Sequence, residues 1–251
     1  MRYSNKKIKY SLIIPCYNEA ENLPQLIANC KKVLSIDGYE IIFVNNGSKD
    51  NSSSVFLDLT KDYNNIKILN IENNNGYGGG ILKGLMLATG DIIGWTHADN
   101  QTHPSDFIKA IDLFTKDKNL DFVKGNRYGR SFLDRIFSLG MGIFDSILLR
   151  VNLFEINAQP TVFKKEFMSS WDNPPIDFSL DLYVYYNAIK LNLNIKRIKV
   201  FFGPRLFGTS KWNTGINQRV KFIKRTIEYS FQLKKQLNGN NITQKKYDKR
   251  T

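Results

Sequence analysis

The sequence predicts an α/β fold: a mostly parallel central sheet with helices on both faces, followed by a C-terminal amphipathic helix. Three observations carry this. Short apolar runs alternate with stretches of helical period through the first hundred residues. Polar, turn-rich clusters close several of those runs, and a 3.6-residue pattern returns near the end after a less regular stretch.

Residues 10–15 (YSLIIP) are a short apolar run closed by proline, the pattern of a buried parallel strand. Asn18 with Glu21 three positions on reads as a capping box for a helix whose stripe is Leu23, Leu26, Ile27, Cys30, Val33 and Leu34. Residues 40–44 (EIIFV) form a second strand, closed by the turn Asn45-Asn46-Gly47-Ser48. A helix through Val55 and Leu59 leads to a third strand at 66–71. A glycine-rich loop at 73–80 precedes a helix over about 81–89, with Gly90 placed to end it. Residues 91–96 (DIIGWT) are the fourth strand and run straight into His97-Ala98-Asp99. This order folds most simply as a doubly wound parallel sheet, in which ligands sit beyond the carboxyl ends of the strands. The polar clusters 45–48 and 97–101 both fall at such ends.

Beyond residue 126 the regularity fails until about 211, with loops, short helices and isolated strands mixed. A long helix then places Val220, Ile223, Ile227, Phe231 and Leu233 on one side. The expected organisation is a ligand-binding half at 1–125, a second half of the same domain at 126–215, a basic amphipathic helix at 216–237 and a disordered tail at 238–251.

Composition narrows the function. A hydrophobic share of 42% and an aromatic share of 13% exclude disorder of the whole chain. The 36 Lys and Arg against 23 Asp and Glu leave +13, and from Gln218 onward ten basic residues face only Glu228 and Asp248. Such a segment suits an anionic surface. Nucleic acid would rest on charge alone and is not expected as a partner. The two cysteines, Cys16 and Cys30, make neither a disulfide framework nor a metal site, and read as buried thiols in a reducing compartment. The apolar run before Pro15 is too short for a signal-peptide core. The apolar window 132–156 is broken by Asp134, Arg135, Asp145 and Arg150, which argues against a spanning helix. A cytoplasmic protein, peripheral at the inner face of the cell membrane, is the expectation. The glycine spacings at 76–80 match neither a dinucleotide nor a P-loop fingerprint.

By position alone Asp99 is either the cap of a helix beginning near Ser105 or an oxygen ligand to a cation. Its neighbours extend the choice. Pro15-Cys16-Tyr17-Asn18-Glu19-Ala20-Glu21-Asn22-Leu23 resembles the opening signature of family 2 glycosyltransferases, in particular the dolichol-phosphate mannose synthase-like, polyprenyl-phosphate branch. Val44-Asn45-Asn46-Gly47-Ser48-Lys49-Asp50 is similar to the family's VDDGSxD turn. The segments 75–91, 97–104 (HADNQTHP), 125–128 (GNRY) and 205–212 (RLFGTSKW) follow in family order and spacing, over about residues 8–230.

The resemblance implies a GT-A fold and an inverting transfer from a nucleotide diphosphate sugar to a polyprenyl phosphate or lipid-linked glycan at an anionic membrane surface. It places Pro15, Tyr17, Glu19, Asn46, Gly76, His97 and Asp99 around the donor. Asp99 and Gln101 would ligate a divalent cation, Mg2+ or Mn2+. Arg127, Arg205, Ser210 and Lys211 would attend the diphosphate or a phosphorylated acceptor. Asp181 takes the position of the catalytic base, with Asp177 second; a phosphate acceptor is already anionic, and Asp181 would then orient or support. Asn45 and Asn46 replace the paired aspartates of the turn. His97 replaces the first acid of the metal motif, which leaves the site less anionic. Two other readings follow from these departures and from the missing membrane spans: a soluble transferase extending a capsule or O-antigen, and a nucleotide-sugar binder without activity.

Overall fold

The structure, a computed structural model, describes residues 8–207 and 216–239. Its elements run β1 (Tyr10–Cys16), α1 (Leu23–Leu34), β2 (Tyr39–Asn46), α2 (Ser52–Thr60), β3 (Ile66–Ile71), α3 (Gly76–Leu87), β4 (Ile92–Trp95), α4 (Asp106–Lys116), β5 (Phe122–Tyr128), α5 (Phe132–Leu149), β6 (Thr161–Lys164), α6 (Leu180–Lys190), β7 (Ile195–Phe201) and α7 (Ile216–Gly239). Among the described residues the strands form one sheet in the order β3-β2-β1-β4-β6-β5-β7. β3, β2, β1 and β4 are mutually parallel, and β5 pairs parallel with β7. Between β4 and β5 lies β6, antiparallel to both. The sheet is therefore mostly parallel with helices on both faces, as the sequence predicts.

Alternation along the strands feeds two cores. In β1, Leu12, Ile14 and Cys16 pack with α1, α2 and α4, whereas Ile13 packs with residues of α3 and α6. On the second face α3 lies close against the sheet at Gly84, where a Cβ would come within 2.5 Å of the Ile13 Cγ2 and 2.8 Å of a Val44 methyl. Ordinary packing has no room for that, so a larger residue there would push the helix away. Cys16 and Cys30 are free and buried.

Several local expectations are corrected. Asn18 caps no helix: its backbone is left-handed (φ 55°), and its side-chain oxygen accepts from the Lys49 amide at 2.8 Å. Helix α1 starts after Asn22, with a proline in its first turn. The glycines at 76–80 are the first turns of α3 rather than a loop, and α3 ends at Leu87 with Ala88 as its cap, before Gly90. The stretch expected to be irregular contains α5, 18 residues long. Helix α7 buries Ser230 and Leu233, while Val220 and Phe231, expected on the packed side, are exposed. No helix among the described residues is long and apolar enough to cross a membrane.

Candidate active site

The carboxyl ends of β1, β2 and β4 converge, and the segments that follow them are laced together. The Asn18 amide donates to Ser48 Oγ at 3.0 Å, the Glu19 amide to Ser52 Oγ at 3.2 Å and the Ala20 amide to Asp50 Oδ2 at 3.1 Å. Burial works to raise Asp50, but the hydrogen bonds from Ser52 and Ala20 prevail and hold its carboxyl below the ordinary value. The two asparagines of the turn are spent on structure. Asn45 donates to Ser53 Oγ (2.7 Å) and Asn70 Oδ1 (3.0 Å). Asn46 donates to the Gly76 carbonyl at 2.8 Å and accepts from the Asn75 amide at 3.1 Å. That pair of bonds fixes the start of α3, where Gly76 has φ +77° and a Cβ would meet the Ile176 carbonyl oxygen at 2.5 Å.

Asp99 lies just past β4 and is 8% exposed. It does not cap α4: its Oδ1 accepts from the Gln101 amide at 3.1 Å, and its Oδ2 from Arg205 Nη2 at 2.9 Å. Glu19 reaches the other guanidinium nitrogen at 3.9 Å, so two carboxylates from different strand ends share one arginine. Desolvation raises Glu19, against the lowering effect of Asn22 and Arg205. Desolvation likewise lowers His97 below the usual imidazole range, although Asp99 and Asp181 pull the other way. At neutral pH His97 is thus uncharged. Gln101 donates its side-chain amide to the Gly203 carbonyl at 3.1 Å, and the Gly203 amide returns a bond of 2.8 Å to the Gln101 carbonyl. Pro15 and Tyr17 stand partly buried at the same edge. Ser210 and Lys211 lie outside the described residues.

Tyr77 divides this edge from the second half of the sheet. Its ring stacks on Phe178 (centroids 4.5 Å apart) and tilts against His97 (5.5 Å). Its hydroxyl donates to Asp181 Oδ2 at 3.0 Å. Asp181, 1% exposed in the first turn of α6, also accepts from Gln159 at 2.9 Å and faces the Lys124 ammonium at 3.4 Å. Burial lowers Lys124 to about 8, partly opposed by Asp181. Asp177 accepts from the Ser179 amide at 2.9 Å ahead of α6 and pairs with Arg225 of α7 at 3.5 Å. Arg127 pairs with Glu155 at 2.6 Å, and Arg130 pairs with the other oxygen of the same carboxylate; the Arg127 charge also helps to lower His97. Beside Arg127 opens a small cleft of about 60 Å³, lined in part by Met141, Asp145, Phe178 and Leu182. Asp145 is buried there, accepts from Ser230 Oγ at 2.6 Å and is raised by desolvation to about 6.

The structure therefore gathers Glu19, His97, Asp99, Gln101 and Arg205 at one edge, sets Asp181 behind Tyr77, puts Arg127 on the cleft and pairs Asp177 with Arg225. Sequence reasoning missed Tyr77, Lys124, Asp145, Glu155 and Gln159. The one available signal was charge within apolar runs, as at Lys124 and Asp145. Among the described residues no group of three or more His, Cys, Asp or Glu side chains could hold a metal ion unaided. An oxygen set of Asp99 and Gln101 does suit a hard cation that takes its remaining ligands from phosphate and water.

Comparison with known proteins gives this geometry a context. The family model described as Glycosyl transferase family 2 matches residues 11–180. A dolichyl-phosphate beta-glucosyltransferase of Trichomonas vaginalis is 31% identical over 159 residues, covering 56% of this chain and 49% of that protein. One of Dictyostelium discoideum is 28% identical over 222 residues, covering 77% and 66%. The chain thus spans about half to two thirds of the length of these relatives. Among solved structures, glucosyl-3-phosphoglycerate synthase from Mycobacterium tuberculosis in complex with uridine diphosphate superposes with a TM-score of 0.70 at 15% identity, over 89% of this chain and 79% of that one. A mannosyltransferase from Pyrobaculum calidifontis in complex with GDP-Man and Mn2+ gives 0.59 at 17% identity, over 81% and 59%. The fold they share with this chain is GT-A.

Proposed function

This chain belongs to glycosyl transferase family 2, and on that premise we propose that it moves a sugar, with inversion, from a nucleotide diphosphate sugar to a polyprenyl phosphate or lipid-linked glycan at a membrane surface. The observation that carries the reading is Asp99 at the end of β4, with Arg205, Glu19, Gln101 and uncharged His97 around it. The dolichyl-phosphate beta-glucosyltransferase relatives suggest the acceptor class, and the neighbours in complex with uridine diphosphate or GDP-Man suggest the donor class.

In this mechanism residues 1–125 hold the donor and 126–215 the acceptor. The acceptor oxygen attacks the anomeric carbon, the bond from that carbon to the diphosphate breaks, and the electron pair leaves with the diphosphate. A divalent cation held by Asp99 and Gln101 would supply Lewis-acid neutralisation of that leaving group. Arg205 exchanges Asp99 for phosphate oxygens, a match for its planar fork. Because His97 is neutral, it adds no positive charge to compete with the cation. Tyr17, Pro15 and Glu19 line the nucleotide side, and Asn46 acts by holding Gly76 and α3 in place. Arg127, Ser210 and Lys211 serve the phosphates of donor or acceptor. Asp181 works as a positioning residue: its two oxygens are engaged by Tyr77, Gln159 and Lys124, and an acceptor phosphate needs no base.

The test is a thermal-shift series with nucleotide diphosphate sugars, with and without Mn2+, followed by transfer of labelled sugar to a polyprenyl phosphate. A cation-dependent shift that vanishes in Asp99→Ala, together with labelled lipid product, is expected. Equal shifts in parent and variant, or no product on any polyprenyl phosphate, would sink the reading.

A further inference from the structure

Helix α5 is amphipathic the wrong way round for a protein surface in water. Its inner face carries Gly142, Asp145 and Leu149, all buried. Its outer face carries Phe132 (73% exposed), Leu133 (76%), Ile136 (51%), Leu139 (52%), Ile143 (51%) and Ile147 (74%). At 100° per residue these six and Gly140 fall within one arc of about 120°, roughly four turns long, with no charged side chain inside it until Arg150 after the helix end. Single exposed apolar residues are ordinary; a continuous stripe of this size marks a surface that something else covers. The stripe continues onto α7 through Phe231, whose ring meets Phe144 edge-on at 6.3 Å and is itself half exposed.

The rim of the stripe selects what covers it. Arg135 and Arg150 are exposed at its edge and end, and Lys224 and Lys235 lie seven residues before and four after Phe231, on the same exposed side of α7. Asp134 is turned to Ser131 and Glu228 reaches Lys224 at 3.9 Å, which leaves the rim cationic. Two copies of the chain would bring like charges together on a molecule that already carries +13. An anionic bilayer offers the complement of both features: hydrocarbon for the stripe and headgroup charge for the rim.

We propose that the outward face of α5, extended by Phe231 of α7, is where the protein lies on an anionic lipid bilayer, with the side chains of Phe132, Ile136, Ile143 and Ile147 in the interface. The sequence placed lipid contact on the basic helix at 216–237; here α5 supplies the apolar contact and α7 mainly the charge. The inference rests on the proposed lipid-linked acceptor for its biological use. The cleft beside Arg127 is bounded by α5, α6 and α7, so this docking sets its mouth at the membrane surface.

The experiment is co-sedimentation of the full chain with phosphatidylcholine vesicles with and without phosphatidylglycerol. It compares the parent, the triple variant Ile136→Gln, Ile143→Gln and Ile147→Gln, and the pair Lys224→Gln with Lys235→Gln. Glutamine keeps helix propensity, and all three isoleucines are exposed, so melting temperature and donor-induced thermal shift should match the parent. The expected result is binding of the parent to anionic vesicles and a loss of roughly tenfold or more in the triple variant. The lysine pair should lose roughly two- to threefold, and only at low salt. Vesicle binding that the triple variant retains would overturn the proposal. So would a parent that ignores vesicles, and in that case a dimer on size exclusion that the triple variant abolishes would assign the stripe to a second copy. A chain that binds vesicles through α5 but gives no labelled lipid product upholds the docking and fails the functional reading.

Discussion

The two halves of the sheet hold their functional groups by different means. At the ends of β1, β2 and β4 short hydrogen bonds join backbone groups and small neutral side chains, and the buried Asp99 and part-buried Glu19 meet at Arg205, whose side chain is still 25% exposed. Around β5, β6 and α6 the charges themselves are buried: Lys124 against Asp181, Arg127 and Arg130 on Glu155, Asp145 beneath Ser230. The first arrangement can lose a charge and keep its fold. The second depends on complete pairs, since a lone charge left inside costs far more than the pair gains.

That contrast can be broken or sharpened by substitution. The largest stability effect is expected from Asp181→Ala, which strands the Lys124 ammonium and two hydrogen-bond donors; a loss of about 3–5 kcal/mol in denaturant unfolding follows. Asp181→Asn keeps an acceptor for Tyr77, and should retain most activity if Asp181 positions rather than takes a proton. A fall in kcat of two orders of magnitude at unchanged melting temperature would instead mark it as a base. Next, Asp99→Ala should lower kcat/KM by about 100-fold or more with little change in melting temperature, because its effect falls on the leaving diphosphate rather than on packing. A collapse of stability there would erase the contrast between the halves. Glu155→Gln, which removes the charge shared by two arginines, should cost about 2–3 kcal/mol.

A smaller effect of opposite sign is expected at Asp145. Its folded-state pKa, raised to about 6, lies above the ordinary carboxylate value. Above pH 6 both folded and unfolded chains carry the charge, and the full penalty of burying it is present. As pH falls from about 6 toward the ordinary range the folded state takes up the proton first, so stability rises. Asp145→Asn keeps the acceptor for Ser230 and removes the charge. It should raise the melting temperature at pH 8 by a few degrees and flatten that pH slope, as read by calorimetry. The smallest change belongs to the exposed pair Lys224 and Glu228, whose removal should move the melting temperature by about 1 °C or less.

The same contrast explains what the sequence disclosed. The ends of β1, β2 and β4 were readable because strands of period two and turns rich in Asn, Gly and Ser are local patterns, and the residues that build that edge lie on them. Tyr77 was not, since its role depends on Phe178 and Asp181, a hundred residues away. Glu155 serves Arg127 and Arg130 from a loop with no pattern of its own. Helix α5 was hidden for a different reason: charges such as Asp145 and Arg150 were read as interruptions, whereas Asp145 points inward to Ser230 and Arg150 ends the helix in a left-handed turn. The capping box at Asn18 failed because its oxygen found the Lys49 amide across the site.

Strand β6 has a consequence for how the polypeptide comes into being. It lies between β4 and β5 although it follows both in the chain. During synthesis the strands β1 to β4 emerge first and can pair among themselves, yet the outer edge of β4 stays bare until Thr161 has been made, and β5 cannot reach its place before then. For that interval a nascent chain displays an open ladder beside Trp95, an invitation to the wrong neighbour. A ribosome stalled between Trp95 and Thr161 should therefore hold a sticky intermediate, and one stalled well beyond Lys164 a quiet one.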